Sequence, residues 1–275
     1  MSDPRAALEA IGQLPDQEID LAGAALQLAR IDRPDADWQA AQAHLSELAR
    51  DAVALAADRT EDDCSVRAGA LAGLLTGRYR YTGDLDHYDD LANANLIDVI
   101  RRRRGMPVAL GILWLHCARA AGWDAHGVDF PGHFLVALAG GGTQLVLDVF
   151  DGGLPLDARA MRALIKRAEG PKAELRPELL EPMSARGVLL RLQNNVKLRR
   201  MDAGDFPGAL AGLEDMLRIA PDAPALWREA ALVNQKLDRV GAALRCFERF
   251  LVLAPQGAAA ARVRLAMDEL RTRLN

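Results

Sequence analysis

From Met106 to Ala121 the chain is apolar on every side of a helical wheel, and from Trp123 onward its hydrophobic pattern alternates with a period of two. Pro107 stands where a first-turn proline is tolerated, and Gly122 supplies the stop. A helix with no polar face has to be buried. The alternation predicts strands over 123–129, 133–139 and 143–150, joined by Phe130-Pro131-Gly132 and by Gly140-Gly141-Gly142. A buried helix leading straight into antiparallel strands is an α+β arrangement. One further helix is predicted over 157–168.

The chain of 275 residues is long enough for one large domain or two smaller ones. Half of its residues are apolar and 26% are charged, the balance of a folded chain rather than a disordered one. A net charge of −4 gives no global attraction to nucleic acid or to an anionic membrane. The longest unbroken apolar stretch, Pro107 to Leu115, is about half of what a membrane-spanning helix needs. The start, Met1-Ser2-Asp3-Pro4-Arg5-Ala6, has no basic segment leading into an apolar one, so no secretory signal is expected. Cys64, Cys117 and Cys246 are an odd number at wide spacings, which fits reduced thiols and a cytoplasmic location.

Residues 1 to about 78 read as four helices. Asp3-Pro4 caps the first, which runs to about Leu14. Asp16 starts the second, with Ile19, Leu21, Ala25 and Leu28 among its apolar positions. Asp35 can cap a third through Trp38, Leu45, Leu48 and Leu55, bent or broken along its length. A fourth spans about Asp62 to Leu75 and ends at Gly77. The stretch from Gly83 to Asp90 is acidic and turn-rich, but it lacks the ligand spacing and closing glutamate of a calcium loop, so no metal is expected there. A short helix from Asn95 runs into Arg101-Arg102-Arg103-Arg104. Four consecutive helical residues span about 300° of the circumference and form no single basic face. One of these arginines is expected to turn inward to a carboxylate, with the other three solvated.

The C-terminal third repeats itself. Pro221 and Pro255 lie 34 residues apart, and at that offset Ala209 matches Ala243, Leu210 matches Leu244, Leu213 matches Phe247 and Leu217 matches Leu251. This is the period of the tetratricopeptide repeat, a helix-turn-helix unit. Trp227 takes the unit's early aromatic position, and its counterpart is Gln193. Two repeats rarely bury enough surface to stand alone, so a helix from about Ala258 to Leu274 is expected to cap one end and the first domain the other. Glu169-Gly170-Pro171 with Pro177 and Pro182 marks a linker over 169–183, between a first domain at 1–168 and repeats at 184–275. With first helices starting at residues 190 and 224, Arg191, Asn194, Met201, Arg228 and Gln235 face the repeat groove. Guanidinium and amide groups together suit an acidic or extended peptide.

Hairpin geometry brings two functional side chains together. A turn centred between Gly140 and Gly141 sets His133 opposite Asp148; one centred on Gly141 sets it opposite Val149 and moves Asp148 to the other face. In the first case a histidine–carboxylate pair stands beside the start of the buried helix, where helix-end amides and an imidazole favour a thiolate.

The segments Gly83-Asp84-Leu85-Asp86-His87-Tyr88-Asp89-Asp90, Asn95-Leu96-Ile97-Asp98-Val99-Ile100, Arg104-Gly105-Met106-Pro107 and Gly127-Val128-Asp129-Phe130-Pro131-Gly132-His133-Phe134-Leu135-Val136 together resemble the SirB-type family. These are bacterial proteins with a transglutaminase-like domain followed by tetratricopeptide repeats, and the resemblance runs over nearly the whole chain. It implies a papain-like transglutaminase core, a central helix on an antiparallel sheet, with a helical N-terminal region and an all-α repeat domain. By the same resemblance His133 holds the catalytic histidine position and Asp148 that of the orienting aspartate. Asn95, Arg104, Gly105, Pro131 and Gly132 belong to the motifs around the groove. The family usually has Asp-Pro-Phe where this chain has Asp148-Val149-Phe150.

In active relatives of the wider fold a cysteine begins the central helix, about fifteen residues before its closing glycine; counting back from Gly122 lands on Pro107. No Cys, Ser or Thr lies between Gly105 and His116. Cys117 is about 15 Å further along the helix, too far to share its N-terminus with His133. His87, His116 and His126 have no second ligand at metal spacing, so neither zinc nor a cofactor is expected. The expectation is a non-catalytic transglutaminase-like/tetratricopeptide protein acting in regulation through a protein or peptide partner. The alternatives are a thiol hydrolase or acyl transferase with Cys64 or another unexpected nucleophile, and a peptide- or sugar-binding module using the vestigial groove.

Overall fold

The computed structural model describes residues 3–57 and 63–272. The chain divides into two compact units, one of Pro15–Leu192 and one of Met1–Leu14 with Gln193–Asn275. The first helix, α1 (Pro4–Gln13), opens on Asp3, whose carboxylate accepts a hydrogen bond from the Arg5 amide. It belongs to the second unit.

The first unit begins with α2 (Leu21–Asp32), α3 (Trp38–Ala57) and α4 (Cys64–Ala72). Asp20, not Asp16, caps α2, accepting from the Gly23 amide at 3.1 Å. Asp16 lies in a short 3₁₀ turn, and its two carboxylate oxygens instead accept from the Ala185 and Arg186 amides at 2.7 and 2.8 Å. Asp37, adjoining Trp38, displaces Asp35 as the cap of α3, accepting from Ala40 at 3.0 Å. The helix is unbroken, and a stripe of Ala41, Leu45, Leu48 and Ala52 fixes its buried face. Asp62, expected to open α4, lies outside the described residues; Asp63 caps it, and beyond Ala72 the backbone widens into a π-helical turn over Gly73–Arg78.

Strand β1 (Thr82–Gly83) pairs in parallel with β2 (Arg104–Gly105), on either side of α5 (Leu96–Arg102). Asn95 caps α5, accepting from the Ile97 and Asp98 amides while its own amide donates to the Ala29 carbonyl. Where one inward arginine was expected, carboxylates engage three: Arg101 with Asp98, Arg102 with Asp84 and Asp90, Arg104 with Asp86. The acidic turn supplies enough carboxylates for both arginines that flank Arg103. Arg103 itself sits in the left-handed region at φ 59° and donates at 2.5 Å to both Tyr81 Oη and His44 Nε2.

That last bond makes the fold sensitive to acid. Burial is the main reason the His44 pKa lies below its ordinary value, and the Arg103 charge adds to it; Glu47 and Asp51 oppose both. The unfolded chain takes up this proton at a higher pH than the folded one, so the stability is full above the ordinary histidine pKa, about 6.5, and falls as pH drops through it. Replacing His44→Gln is expected to flatten the dependence of unfolding free energy on pH between about 7 and 5. Equal slopes in urea titrations of the two proteins would exclude this role.

Helix α6 (Pro107–Ala120) is buried on all sides, Pro107 through Leu115 without interruption. It leads into the sheet strands β3 (Ala125–Phe130), β4 (His133–Gly140), β5 (Thr143–Asp148), β6 (Leu154–Pro155) and β7 (Pro182–Met183). Their order is β6-β5-β4-β3-β7, every neighbour antiparallel. The β4–β5 loop is two residues, Gly141 and Gly142, both at positive φ, with Gly140 facing Thr143. Such a turn needs left-handed backbone at both positions, which the glycines provide. The register therefore differs from both alternatives drawn from the sequence. Val136 faces Leu147, so continuing the ladder sets His133 opposite Phe150 with Asp148 two residues away on the same face.

One sheet face receives α6 through Phe134, whose ring fits against Gly111 and Gly127. On the other, Val128, Phe130, Leu135, Ala137 and Val146 pack with Met161 and Ile165 of α7 (Ala158–Glu169). Leu175, Leu179 and Leu180 join this cluster, and β7 pairs with β3 through Gly127 and Met183. The stretch 169–183, expected as a linker, is thus folded onto the sheet, because its leucines have an apolar face to cover.

The second unit contains α1 and, from Gln193, the remainder of α8 (Ala185–Asp202), then α9 (Phe206–Ile219), α10 (Pro224–Lys236), α11 (Val240–Leu253) and α12 (Ala258–Thr272). Phe247 and Phe250 of α11 pack with Val263, Met267 and Leu270, so α12 closes that end. Trp227 is pinned by its indole N–H on the Pro221 carbonyl at 2.8 Å. Helix α1, expected within the first domain, packs on α9. Gly12 lies directly against the Arg218 carbonyl, Arg5 pairs with buried Asp215 at 3.0 Å, and Glu9 with Arg218 at 3.3 Å. Lacking a Cβ at Gly12, the two backbones can approach closely.

Candidate functional site

The elements around β4 assemble a histidine–aspartate pair. His133 opens the strand directly after the tight turn at Pro131-Gly132, where Gly132 has φ +70° and abuts Ala168. Its Nε2 lies 2.9 Å from Asp148 Oδ1. A carboxylate can only accept, so Nε2 carries the proton and Nδ1 of the neutral ring is an acceptor. Nδ1 has no hydrogen-bond partner among the described residues.

The same Asp148 oxygen also accepts from the Phe150 and Asp151 amides at 3.0 and 3.3 Å. Burial by itself raises the carboxyl's pKa. The hydrogen bond and charge of His133, together with those two amides, outweigh it and hold Asp148 below the usual carboxylate range. The ring of Phe150 stands edge-on to His133 at 6.3 Å and to Tyr88 at 5.7 Å between centroids. A Cβ on Gly83 would come within 2.6 Å of that ring, so only glycine lets β1 lie there. Gly83 donates to the Phe150 carbonyl and faces Gly105, two residues before Pro107. This is the chain of contacts between the dyad and the head of α6.

Asp84 anchors the turn beneath it. Fully buried, it accepts from Arg102 at 2.6 Å and from the His87 amide at 3.1 Å, with Arg104 at 3.8 Å. Phe150, Tyr88 and Asp84 were not picked out from the sequence as site residues, although Asp84 and Tyr88 stand inside one of its most distinctive segments. The cysteines lie apart from the dyad. Cys64 Sγ is 3.3 Å from Thr143 Oγ1, at the glycine-turn end of β4, whereas His133 is at the other end, about 23 Å away at ~3.3 Å per residue. Cys117 is buried in α6 near the Leu48 carbonyl, and burial pushes its thiol up to about 12. His116 bonds the Leu45 carbonyl and His126 approaches the Gln144 amide. Among the described residues no three His, Cys, Asp or Glu side chains gather as metal ligands.

Of the residues expected in the repeat groove, Arg228 lines a cavity of about 270 Å³ with Leu232, Phe247, Arg262 and Val263. Arg262 repeats Arg228 at the 34-residue spacing, so the pairing is written in the sequence. Arg191 instead forms an ion pair with Asp129 at 3.0 Å, within the sheet unit. Asn194, Met201 and Gln235 are half-buried. No described helix is long and apolar enough to cross a membrane.

A buried helix on an antiparallel sheet bearing a His–Asp pair, joined to helical repeats, is the architecture of a transglutaminase-like protein with a repeat module. The model of the transglutaminase-like superfamily matches residues 39–194, and that of the tetratricopeptide repeat matches 196–268. The chain is 30% identical over 251 residues to a UPF0162 protein of Xylella fastidiosa (strain Temecula1), covering 89% of this chain and 88% of that one. A UPF0162 protein of Vibrio cholerae is 27% identical over 262 residues, covering 94% and 96%, and one of Pseudomonas aeruginosa 30% over 253, covering 92% and 90%. The chain belongs to this family, UPF0162, the SirB-type family, within the transglutaminase-like superfamily. No solved structure matches it.

Proposed function

We propose that this chain is a non-catalytic transglutaminase-like/tetratricopeptide protein of the cytoplasm that acts in regulation through contacts with a protein partner. The observation that carries the reading is the head of α6: Met106-Pro107-Val108 stands where thiol chemistry on the His133–Asp148 pair would require a nucleophile. The positions of Cys64 and Cys117 support it, one at the far end of β4 and the other buried as a high-pKa thiol. The repeat unit supplies the contact surface. Arg228 and Arg262 have no hydrogen-bond or ion-pair partner among the described residues and border an apolar groove that includes exposed Leu232. That combination fits an acidic or extended peptide.

Two measurements test this. The purified protein is expected to hydrolyse or transamidate no thioester or peptide amide in a thiol-dependent manner. Selective labelling of one cysteine by an electrophilic substrate analogue, abolished by His133→Ala, would make it an enzyme. Binding of a partner is expected to be lost in a folded Arg228→Glu/Arg262→Glu variant. Unchanged binding would exclude the groove and favour a second reading, in which Nδ1 of His133 and the exposed side chain of Tyr88, both packed against the Phe150 ring, form the contact.

A further inference from the structure

In the unit that contains α1, a second cavity of about 420 Å³ uses a different face of α10. Trp227, Ala230 and Asn234, spaced to share one side of the helix, line it, whereas Arg228 and Leu232 line the groove described above. Leu210 and Leu217 of α9 add apolar wall, Cys246 of α11 closes it, and Glu9 brings α1 to its rim. No function has so far been given to these residues.

Gln13 and Arg218 also line it, and the Arg218 guanidinium is already held by Glu9 at 3.3 Å and by buried Asp215 at 3.0 Å; two further polar groups stand out against those walls. Asn234 is only 4% exposed, and its amide N–H donates to the Ala230 carbonyl at 2.9 Å. Its Oδ1 accepts no hydrogen bond among the described residues, yet it is not sealed from solvent, so this acceptor opens into the cavity. Buried polar side chains are normally satisfied, which makes an open acceptor at a cavity wall a mark of a missing donor. Glu214 is the second group: exposed at the mouth, it has no ion-pair or hydrogen-bond partner among the described residues. Its charge also reaches the Cys246 thiol, whose pKa is raised first by burial and further by Glu214, against the opposing Arg245. With the Arg218 charge already met by Glu9 and Asp215, an open acceptor and an unpaired carboxylate over an apolar floor favour a donor cation and disfavour an anion.

We propose that this cavity binds a primary ammonium or guanidinium carried on a short apolar stem, with Asn234 Oδ1 accepting its hydrogen bond and Glu214 balancing its charge. The stem lies along Leu210, Leu217 and Trp227. The same chemistry is offered by a free organic amine and by a lysine or arginine side chain of a polypeptide. The proposal is independent of the Arg228 groove.

The test is calorimetric titration of the full chain with phenethylamine, with phenethyl alcohol as its uncharged counterpart, and with the peptide acetyl-Leu-Lys-Leu-amide. At least one of the two cations is expected to saturate the protein, with the alcohol about tenfold weaker or worse. Glu214→Gln, an exposed change that leaves the core alone, is expected to weaken the cation about five- to tenfold, and Asn234→Leu by a similar factor if it folds. Arg228→Glu should leave the affinity unchanged. Saturating cation should also slow alkylation of Cys246 by iodoacetamide several-fold, locating the site. Tighter binding of the peptide than of the amine would assign the site to a basic polypeptide segment, and the reverse to a free amine. Binding of neither cation, equal affinity for the alcohol, no effect of Glu214→Gln, or unaltered Cys246 alkylation would each overturn the proposal.

Discussion

Replacing Asp84→Ala is expected to lower the unfolding free energy by about 3–5 kcal/mol, the range for removing one partner of a buried ion pair. The carboxylate is fully buried and holds Arg102 at 2.6 Å and the His87 amide at 3.1 Å, so alanine leaves the turn amide without its acceptor and the half-buried guanidinium with only the more exposed Asp90 at 3.4 Å. Burial raises the Asp84 pKa, but the His87 amide and the Arg102 charge outweigh it and leave it below its ordinary value. The unfolded chain thus binds that proton more readily, and this contribution is present above about pH 4 and lost as pH falls toward the folded value. Asp84→Asn should cost less, because it keeps an acceptor for His87 while losing the charge opposite Arg102. Urea titrations check both variants; a loss under about 1 kcal/mol for Asp84→Ala would mean that the arginine re-solvates freely. The turn this residue holds carries Tyr88 to Phe150, so the ring resonances of His133 should shift in the same variant.

The other large effect is expected at Gly111, where α6 crosses β4. A Cβ there would lie 2.8 Å from Phe134 Cδ1 and closer still to Cε1, and a Cβ on Gly127 would likewise come within 2.6 Å of the same ring. Phe134 is 2% exposed and cannot swing into solvent. Gly111→Ala gains about 1 kcal/mol of helix propensity but overpacks a filled slot at about 1–3 kcal/mol, so it should destabilise. Gly111→Val adds two further methyl groups to the same collision and should cost about 3 kcal/mol or more. The decisive measurement is a double-mutant cycle with Phe134→Leu, in which the smaller side chain should recover at least about 1 kcal/mol of the Gly111→Ala penalty. Stabilisation by Gly111→Ala alone would show that the slot has room.

The core of this fold was legible because both of its periods are strong. An all-apolar helix cannot stay outside, and alternating strands cannot pair in many ways. The His133–Asp148 pair was reachable through an incorrect register for a related reason. The actual hairpin differs by two residues from the alternative that paired them, and side chains alternate with period two, so Asp148 stayed on the histidine's face. The caps chosen by Asp16 and Asp20 were not legible, since Asp16 spends its carboxylate on amides some 170 residues away. Nor was the fate of 169–183, where prolines advertised a linker while Leu175, Leu179 and Leu180 had a sheet face to cover. Arg191 was assigned to a groove by repeat phase alone, and nothing local announced that Asp129 would hold it.

Helix α1 raises a question of timing. Its ion pair joins Arg5 to Asp215 across 210 residues, so the partner helix is made long after α1. At about 5–20 residues per second, some 10–40 s separate the synthesis of the two. During that interval Pro15–Leu192 can acquire its own sheet and helices, while the amphipathic α1 keeps its apolar side unpaired. The unit that holds Arg228 and Glu214 is therefore completed after Pro15–Leu192 has been made, and helix α1, made before that stretch, finds its place after it.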